Sequence, residues 1–296
     1  MTGSLDGRIA LITGAGRGLG REYARLFAAE GASVVVNDTG RSSDGRAADS
    51  TTSGTDVAPS AAVVAEIESA GGRAVTNDDD VADFEGAEQA VATAIETFGG
   101  LDIVINNAGI LRDRLIVNMT EDEWDEVVRV HLKGHFAPTH FAAVYWRDEH
   151  KAGRGHPRRL VHTASTSGLM SNPGQSNYGA AKSGVATFSQ IAAKELARYD
   201  VASNCIAPAA RTRLTMSSPG LDDIMAPREG AFDEWDPANV APVVAYLASE
   251  RCRFNGETFF VQGGVVQRMR PWDLGDSVRN DTAWTVDSLV HAFESW

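Results

Sequence analysis

The sequence predicts a doubly wound α/β fold built on a parallel sheet, and three observations lead there. Short apolar runs rich in β-branched residues alternate with longer helical patterns along most of the chain. Those runs are continuously apolar instead of alternating, as expected of strands covered on both faces in a parallel sheet. Strand–helix alternation then joins neighbouring strands by right-handed crossovers. Length alone allows two domains. No internal repeat or linker divides the 296 residues into two cores, so one domain is expected.

The elements follow in order. Ile9–Ile12 opens the sheet, and Leu19–Ala29 carries a helical pattern behind it. Ser33–Val36 is the second strand. A stretch rich in Ser, Thr, Gly and Asp, Thr39 to Ser60, reads as a long mobile loop before the helix Ala61–Ser69. A further strand region ends at Asp80-Val81 and leads to the helix Ala87–Phe98 and the strand Ile103–Ile105. Thr120-Glu121-Asp122-Glu123 is a capping box whose acids suit a helix N-terminus, and it starts the helix Trp124–Phe141. Leu160–Thr163, the helix Ala180–Tyr199, Ser203–Ile206 and Thr258–Val261 complete the core, which is expected to span residues 5–264. Residues 265–296 form an extension with Trp272, Trp284 and Trp296. Within it Val286, Leu289, Val290 and Phe293 make one apolar helical stripe, capped by Thr285. Such a stripe needs cover from its own domain or a partner subunit.

Composition narrows the function. The 27 Lys+Arg against 40 Asp+Glu leave a formal charge of −13, and a basic footprint for nucleic acid is missing. Two cysteines, Cys205 and Cys252, are too few for a disulfide framework and suit a reducing compartment. Neither a signal core nor an apolar run of spanning length is present, and Phe293-Glu294-Ser295-Trp296 is not a peroxisomal address. A soluble cytoplasmic protein without membrane or nucleic-acid partners is expected.

The first strand is followed by Thr13-Gly14-Ala15-Gly16-Arg17-Gly18-Leu19-Gly20, a T-G-x-x-x-G-x-G run. Glycines there let backbone approach a pyrophosphate, and the helix N-terminus offers N–H groups. Alone, such a turn can be purely structural. Strand two ends at Asn37-Asp38, where an acid bonds the adenosine ribose and repels a 2′-phosphate. Arg17 pulls the other way, toward NADP, but Asp38 sits at a position set by the sheet, so NAD is favoured. Asp80 and Val81, then Asn107, Ala108 and Gly109 of Asn106-Asn107-Ala108-Gly109, also fall at carboxyl ends of strands, where such sheets bind ligands. Asp78 and Asp79 are a solvated acidic turn.

The chemical end is Tyr178-Gly179-Ala180-Ala181-Lys182, a phenol and an ammonium four residues apart on one helix face. A neighbouring cation lowers the phenol's pKa toward usefulness as a general acid/base. Ser165, just past a strand, stands at the same sheet edge with a hydroxyl for the oxygen whose charge changes.

On these motifs the sequence resembles the short-chain dehydrogenase/reductase family over about residues 5–264. The resemblance implies a Rossmann-type fold, Tyr178 as acid/base, Lys182 on the nicotinamide ribose and Ser165 on the reacting oxygen. It also implies a homodimer or homotetramer. Where the family usually has Asn, the chain has His131 in Val130-His131-Leu132-Lys133-Gly134. His131 either holds a relayed water or is a packed helical histidine. With His135 it has metal-ligand spacing, but no further ligand converges and no metal is expected. Pro208-Ala209 replaces the usual Pro-Gly, and Thr212 is the candidate for the nicotinamide carboxamide.

Asn37-Asp38-Thr39-Gly40, Gly109-Ile110-Leu111-Arg112-Asp113-Arg114, His131-Leu132-Lys133-Gly134 and Ile206-Ala207-Pro208 are further similar to the dehydrogenase domain of peroxisomal multifunctional enzyme type 2. This likeness implies NAD-dependent oxidation of 3-hydroxyacyl-CoA thioesters, some steroid-derived. A hydroxysteroid or other cyclic-alcohol dehydrogenase is the alternative within enzymes, and a catalytically silent dinucleotide-binding sensor the alternative outside them. Ala209 to Asp236, with Met216, Leu221, Met225, Phe232 and Trp235, either closes over an apolar substrate or lies in an oligomer interface. Arg112, Arg114, Arg211 and Arg213 are the cations expected to meet an anionic acyl-CoA, while Arg147 to Arg159 reads as a solvated turn.

Overall fold

Successive residues along each central strand feed two different cores, which is why the strands read as unbroken apolar runs. Ala10, Ile12, Val34, Val36, Ile103 and Ile105 pack on one face of the sheet. Leu11, Val35, Val104 and Leu160 pack on the other, as the two-residue period of a strand requires. The computed structural model describes residues 3–46, 57–216, 221–270 and 273–294.

Strands and helices alternate through the first half: β1 (Ile9–Thr13), α1 (Gly18–Ala29), β2 (Ser33–Asn37), α2 (Pro59–Ser69), β3 (Arg73–Asn77), α3 (Phe84–Phe98) and β4 (Ile103–Asn106). Then come α4 (Glu121–Val128), α5 (Gly134–Lys151), β5 (Arg158–Thr163), α6 (Thr166–Met170), α7 (Ser176–Leu196) and β6 (Val201–Pro208). The chain continues with α8 (Arg213–Met216), α9 (Leu221–Ile224), α10 (Ala241–Ala248), β7 (Thr258–Gln262), β8 (Val265–Met269) and α11 (Val286–Phe293). One sheet results, in the order β3-β2-β1-β4-β5-β6-β7-β8. α1, α2 and α10 contribute to the first core, and α3, α5 and α7 to the second. The strand order reverses between β1 and β4, the place where sheets of this kind open a crevice at their carboxyl edge.

Three departures from the sequence reading have physical causes. β8 joins the sheet antiparallel to β7, with Gln262 opposite Val265. Only Gly263 and Gly264 connect them, a loop far too short for a crossover but sufficient for a hairpin, and Gly263 takes the positive φ of 50°. The stretch read as one helix, Trp124–Phe141, is α4, a five-residue π turn at Arg129–Lys133, and α5. Pro138 inside α5 cannot donate to the carbonyl four residues back, which loosens the helix entry.

β5 begins earlier than expected, because Arg158 and Arg159 are buried strand residues. Arg158 pairs with the buried Asp102 at 2.8 Å, and Arg159 donates to Ser249 O at 3.0 Å. The tail helix α11 forms with the expected Thr285 cap. Its stripe is open: Val286 and Val290 keep 78% and 60% of their surface exposed. Trp272, Trp296 and residues 47–56 of the long loop lie outside the described residues. Among the described residues no helix is long and apolar enough to cross a membrane.

Candidate active site

The floor of the crevice is the turn after β1. Gly14 has φ of 62°, and a Cβ there would stand 2.8 Å from Ala108 Cα, so both its conformation and its neighbour demand glycine. The neighbouring Asn106-Asn107-Ala108-Gly109 turn braces it. Thr13 Oγ1 accepts from Asn107 N at 2.9 Å and Ala108 N at 3.0 Å, while Asn107 Nδ2 donates to Thr13 O at 3.1 Å and Gly14 O at 3.2 Å. α1 follows with neither a side-chain cap nor an acidic residue in its first turn, leaving its N–H groups to an anion. Asp38 closes the next strand, its carboxylate accepting from Gly16 N at 2.9 Å and Gly40 N at 2.8 Å.

A cleft of about 540 Å³ opens above this floor, within the range of small-molecule sites. Of the catalytic and cofactor residues singled out from the sequence, all except Gly20 and Ser165 line it. Gly20 packs beneath it, where a Cβ would meet Gly14 O at 2.2 Å. Ser165 sits two residues beyond β5 as the buried N-cap of α6, accepting from Ser167 N at 3.2 Å. A glycine floor, uncapped N–H groups and a strand-end carboxylate together fit a dinucleotide.

Tyr178 and Lys182 project from α7 into this cleft. The ammonium lies 5.6 Å from the Tyr178 ring centroid and donates to Thr163 O at 2.5 Å. Here the structure reverses one expectation. Burial of the hydroxyl pushes the Tyr178 phenol up to about 12, although a hydrogen bond with Ser165 pulls it back and the Asp113 carboxylate raises it further. Burial likewise pulls the Lys182 ammonium down to about 7. A cation that is itself desolvated does not lower the phenol's pKa in the protein alone.

His131 is fully buried in the π turn and meets Tyr178 edge-on at 5.0 Å. Its Nε2 lies 2.7 Å from Ile110 O and 3.1 Å from Ile110 N, while Nδ1 has no hydrogen-bond partner. Burial, then the Lys182 charge, hold the imidazole well below its ordinary pKa, so it is neutral. The helical-packing role therefore occupies one ring nitrogen and leaves one for a further partner. A Cβ on Gly109 would come within 2.3 Å of the same ring, which accounts for that glycine.

The expected anion-binding arginines are mostly committed. Arg112 donates to Asp44 O and Asp122 O, Arg114 pairs with Glu123 at 3.2 Å, and Arg211 holds Asp233 at 2.5 Å and Met225 O at 2.6 Å. Arg213 lines the cleft and feels the charges of both Arg17 and Asp38. Asp80 also lines the cleft, but Arg129 grips its carboxylate at 3.1 Å. Within the stretch after β6, Met225 is buried and Phe232 is 69% exposed. The side chain of Leu221 lies outside the described residues.

Sequence reasoning missed the support around these groups: Asn37, Ser43, Asp44, Arg129, Gln175 and Asn177. Asn177 carried a signal in hindsight, an amide directly before the tyrosine at the start of a helix, where side-chain bonds to free N–H groups are favoured. Ser43 and Asp44 carried none, because their partners are distant in sequence.

The fold and the cleft define a dinucleotide-binding α/β oxidoreductase. Residues 8–219 match the family described as short chain dehydrogenase, and the chain belongs to that family, whose members use nicotinamide dinucleotides. It is 41% identical over 294 residues to a hydroxyacyl-CoA dehydrogenase of Mycobacterium tuberculosis, covering 98% of this chain and 88% of that one. It is 45% identical over 256 residues to the peroxisomal multifunctional enzyme type 2 of Drosophila melanogaster, covering 85% of this chain but 38% of the larger protein. Among solved structures, a short chain dehydrogenase from Mycobacterium avium superimposes with a TM-score of 0.86 at 43% identity, covering 99% of this chain and 95% of that one.

The neutral phenol is open to measurement. An ordinary tyrosine ionises near 10, so above about pH 10 the unfolded chain loses this proton while the folded chain keeps it, and stability falls as pH rises toward 12. In the protein without cofactor, the phenolate absorbance of wild type minus Tyr178→Phe is expected to stay flat to about pH 11. A difference rising near pH 10 contradicts the burial argument.

Proposed function

We propose that this enzyme oxidises the secondary alcohol of a 3-hydroxyacyl-CoA thioester with NAD. The observation that carries the reading is the pairing of Tyr178 and Lys182 in a glycine-floored cleft, with the buried Ser165 beside the phenol. The similarity to a hydroxyacyl-CoA dehydrogenase along almost the whole chain supports the substrate class. Ile110, Leu214 and Met216, which line the cleft, offer apolar surface for an acyl chain.

Each residue then has a role. Tyr178, in its ionised form, takes the proton from the substrate hydroxyl, and in the reverse direction its phenol returns that proton to the carbonyl oxygen. Ser165, whose hydroxyl acts on the phenol, donates to the same oxygen and holds it against Tyr178. Lys182 sits beside the tyrosine and contributes positive charge whenever it is protonated. His131 fixes the loop after β4 through Ile110. The bound nicotinamide supplies the carbon that accepts or returns the hydride.

The preference for NAD rests on Asp38. Two backbone N–H groups hold its carboxylate at the ribose end, where it opposes a second phosphate. Arg17 and Arg213 nearby work in the other direction. The open stripe of α11 supports assembly: we infer that the tail after β8, with α11 in it, covers a second copy of the chain in a homo-oligomer, while Val265–Met269 stays in this chain's own sheet.

Three experiments test these readings. Steady-state assays across 3-hydroxyacyl-CoA and free steroid alcohols are expected to show turnover of the thioesters, with Tyr178→Phe lowering kcat by about 10²-fold or more while NAD still binds. Turnover of steroids alone defeats the substrate assignment, and NAD binding without any turnover points to a sensor. Asp38→Ala is expected to raise the efficiency with NADP relative to NAD about tenfold, or roughly 1.4 kcal/mol; an unchanged ratio removes Asp38 as the discriminator. Deleting residues 273–296 is expected to lower the mass in solution, and a truncated protein of unchanged assembly refutes the tail's role.

A further inference from the structure

The loop after β4 joins residues 39–46, most of which line the cleft, to the start of α7, which carries Tyr178. On the cofactor side, Leu111 N donates to Ser43 O at 2.9 Å and Arg112 Nε to Asp44 O at 2.9 Å. Residues 39–46 are thereby fastened across the cleft that they line. That segment is a braced turn, closed by Ser42 N to Arg46 O and Gly45 N to Ser42 O, both 3.0 Å, and Arg17 donates to Arg41 O at 3.2 Å. On the side of α7, Gln175 Nε2 donates to Asp113 Oδ2 at 2.7 Å and Arg114 N to Gly174 O at 2.8 Å.

Asn177 joins these bonds to the tyrosine. It is fully buried, and its Nδ2 donates to Arg112 O at 3.0 Å and to Glu123 O at 2.9 Å. Its Oδ1 accepts from Tyr178 N at 2.7 Å. Both amide hydrogens are therefore committed. Tyr178 N lies in the first turn of α7, where a helix has no acceptor of its own, so Asn177 supplies the missing partner. The same side chain ties the loop that carries Arg112, the start of α4 and the backbone of Tyr178 to one another.

We propose that Asn177 is the positioning residue of the site, and that through Arg112 it couples the roof formed by residues 39–46 to the placement of Tyr178. The proposal rests on the reading of Tyr178 as the acid/base. Closure of the roof over a bound dinucleotide pulls on the Ile110–Arg114 loop, and the loop holds the helix start that aims the phenol at Ser165. Asn177→Asp removes both donors and sets a charged oxygen against two carbonyls, while keeping an acceptor for Tyr178 N. Asn177→Ala removes donors and acceptor together.

The test compares full-length Asn177→Asp, Asn177→Ala, Arg112→Met and Tyr178→Phe, each assayed for NAD affinity by fluorescence and for kcat, KM and pH profile with a 3-hydroxyacyl-CoA. Both Asn177 variants are expected to lose roughly 10–100-fold in kcat, with KM changed far less. Their kcat profiles should move to higher pH, since the phenol loses its placement against Ser165. A change confined to thermal stability, with kcat and pH profile as in wild type, overturns the proposal. Arg112→Met leaves every Asn177 bond in place and is expected to weaken NAD binding and to shift the pH profile the same way. If the Asn177 variants do not fold, an Arg112→Met enzyme with unchanged NAD affinity and profile overturns it instead. Tyr178→Phe separates the two levels. If it stays active, the acid/base reading falls; if it is inactive while the others match wild type, only the positioning falls.

Discussion

Everything in this site depends on two backbones that come too close for a side chain. β1 and β4 end side by side, and Gly14 would carry any Cβ into Ala108. The approach is held by Thr13 and Asn107, each bonding the other turn twice. Because the strand order reverses there, the crossovers leave in opposite directions and open the crevice directly above the contact. Loosening that contact would move the floor of the cofactor cleft and the loop that reaches Tyr178 together.

The chemistry occupies a different electrostatic regime from the exterior. The chain carries a formal charge of −13, yet the groups around Tyr178 are governed by burial and not by the overall field. The phenol is pushed up, the ammonium pulled down, and His131 kept neutral, all mainly by lost hydration. Burial therefore disfavours charge on all three groups. The arginines that a charge count would assign to an anionic substrate are instead staples: Arg112, Arg114 and Arg211 each hold a loop or a carboxylate.

Much of the fold was legible because its signals are local. Unbroken apolar strands, the Thr120 and Thr285 caps, and the T-G-x-x-x-G-x-G turn each express a constraint within a few residues. Misreadings arose where a distant partner decides. Arg158 and Arg159 look like surface residues until Asp102 and Ser249 are placed beside them. The Trp124–Phe141 pattern reads as one helix until Pro138 and the π turn divide it.

By itself, the sequence determined the doubly wound sheet, the glycine turn with its strand-end acid, and the candidates Ser165, Tyr178 and Lys182, since each rests on periodicity or short-range spacing. The tertiary structure alone decided how those groups are tuned and held. Desolvation depends on every neighbour that displaces water, and the clasp of Asn177 on Arg112 and Glu123 spans 65 and 54 residues. Neither quantity exists until the chain has closed on itself, so no reading of spacing along the chain contains it.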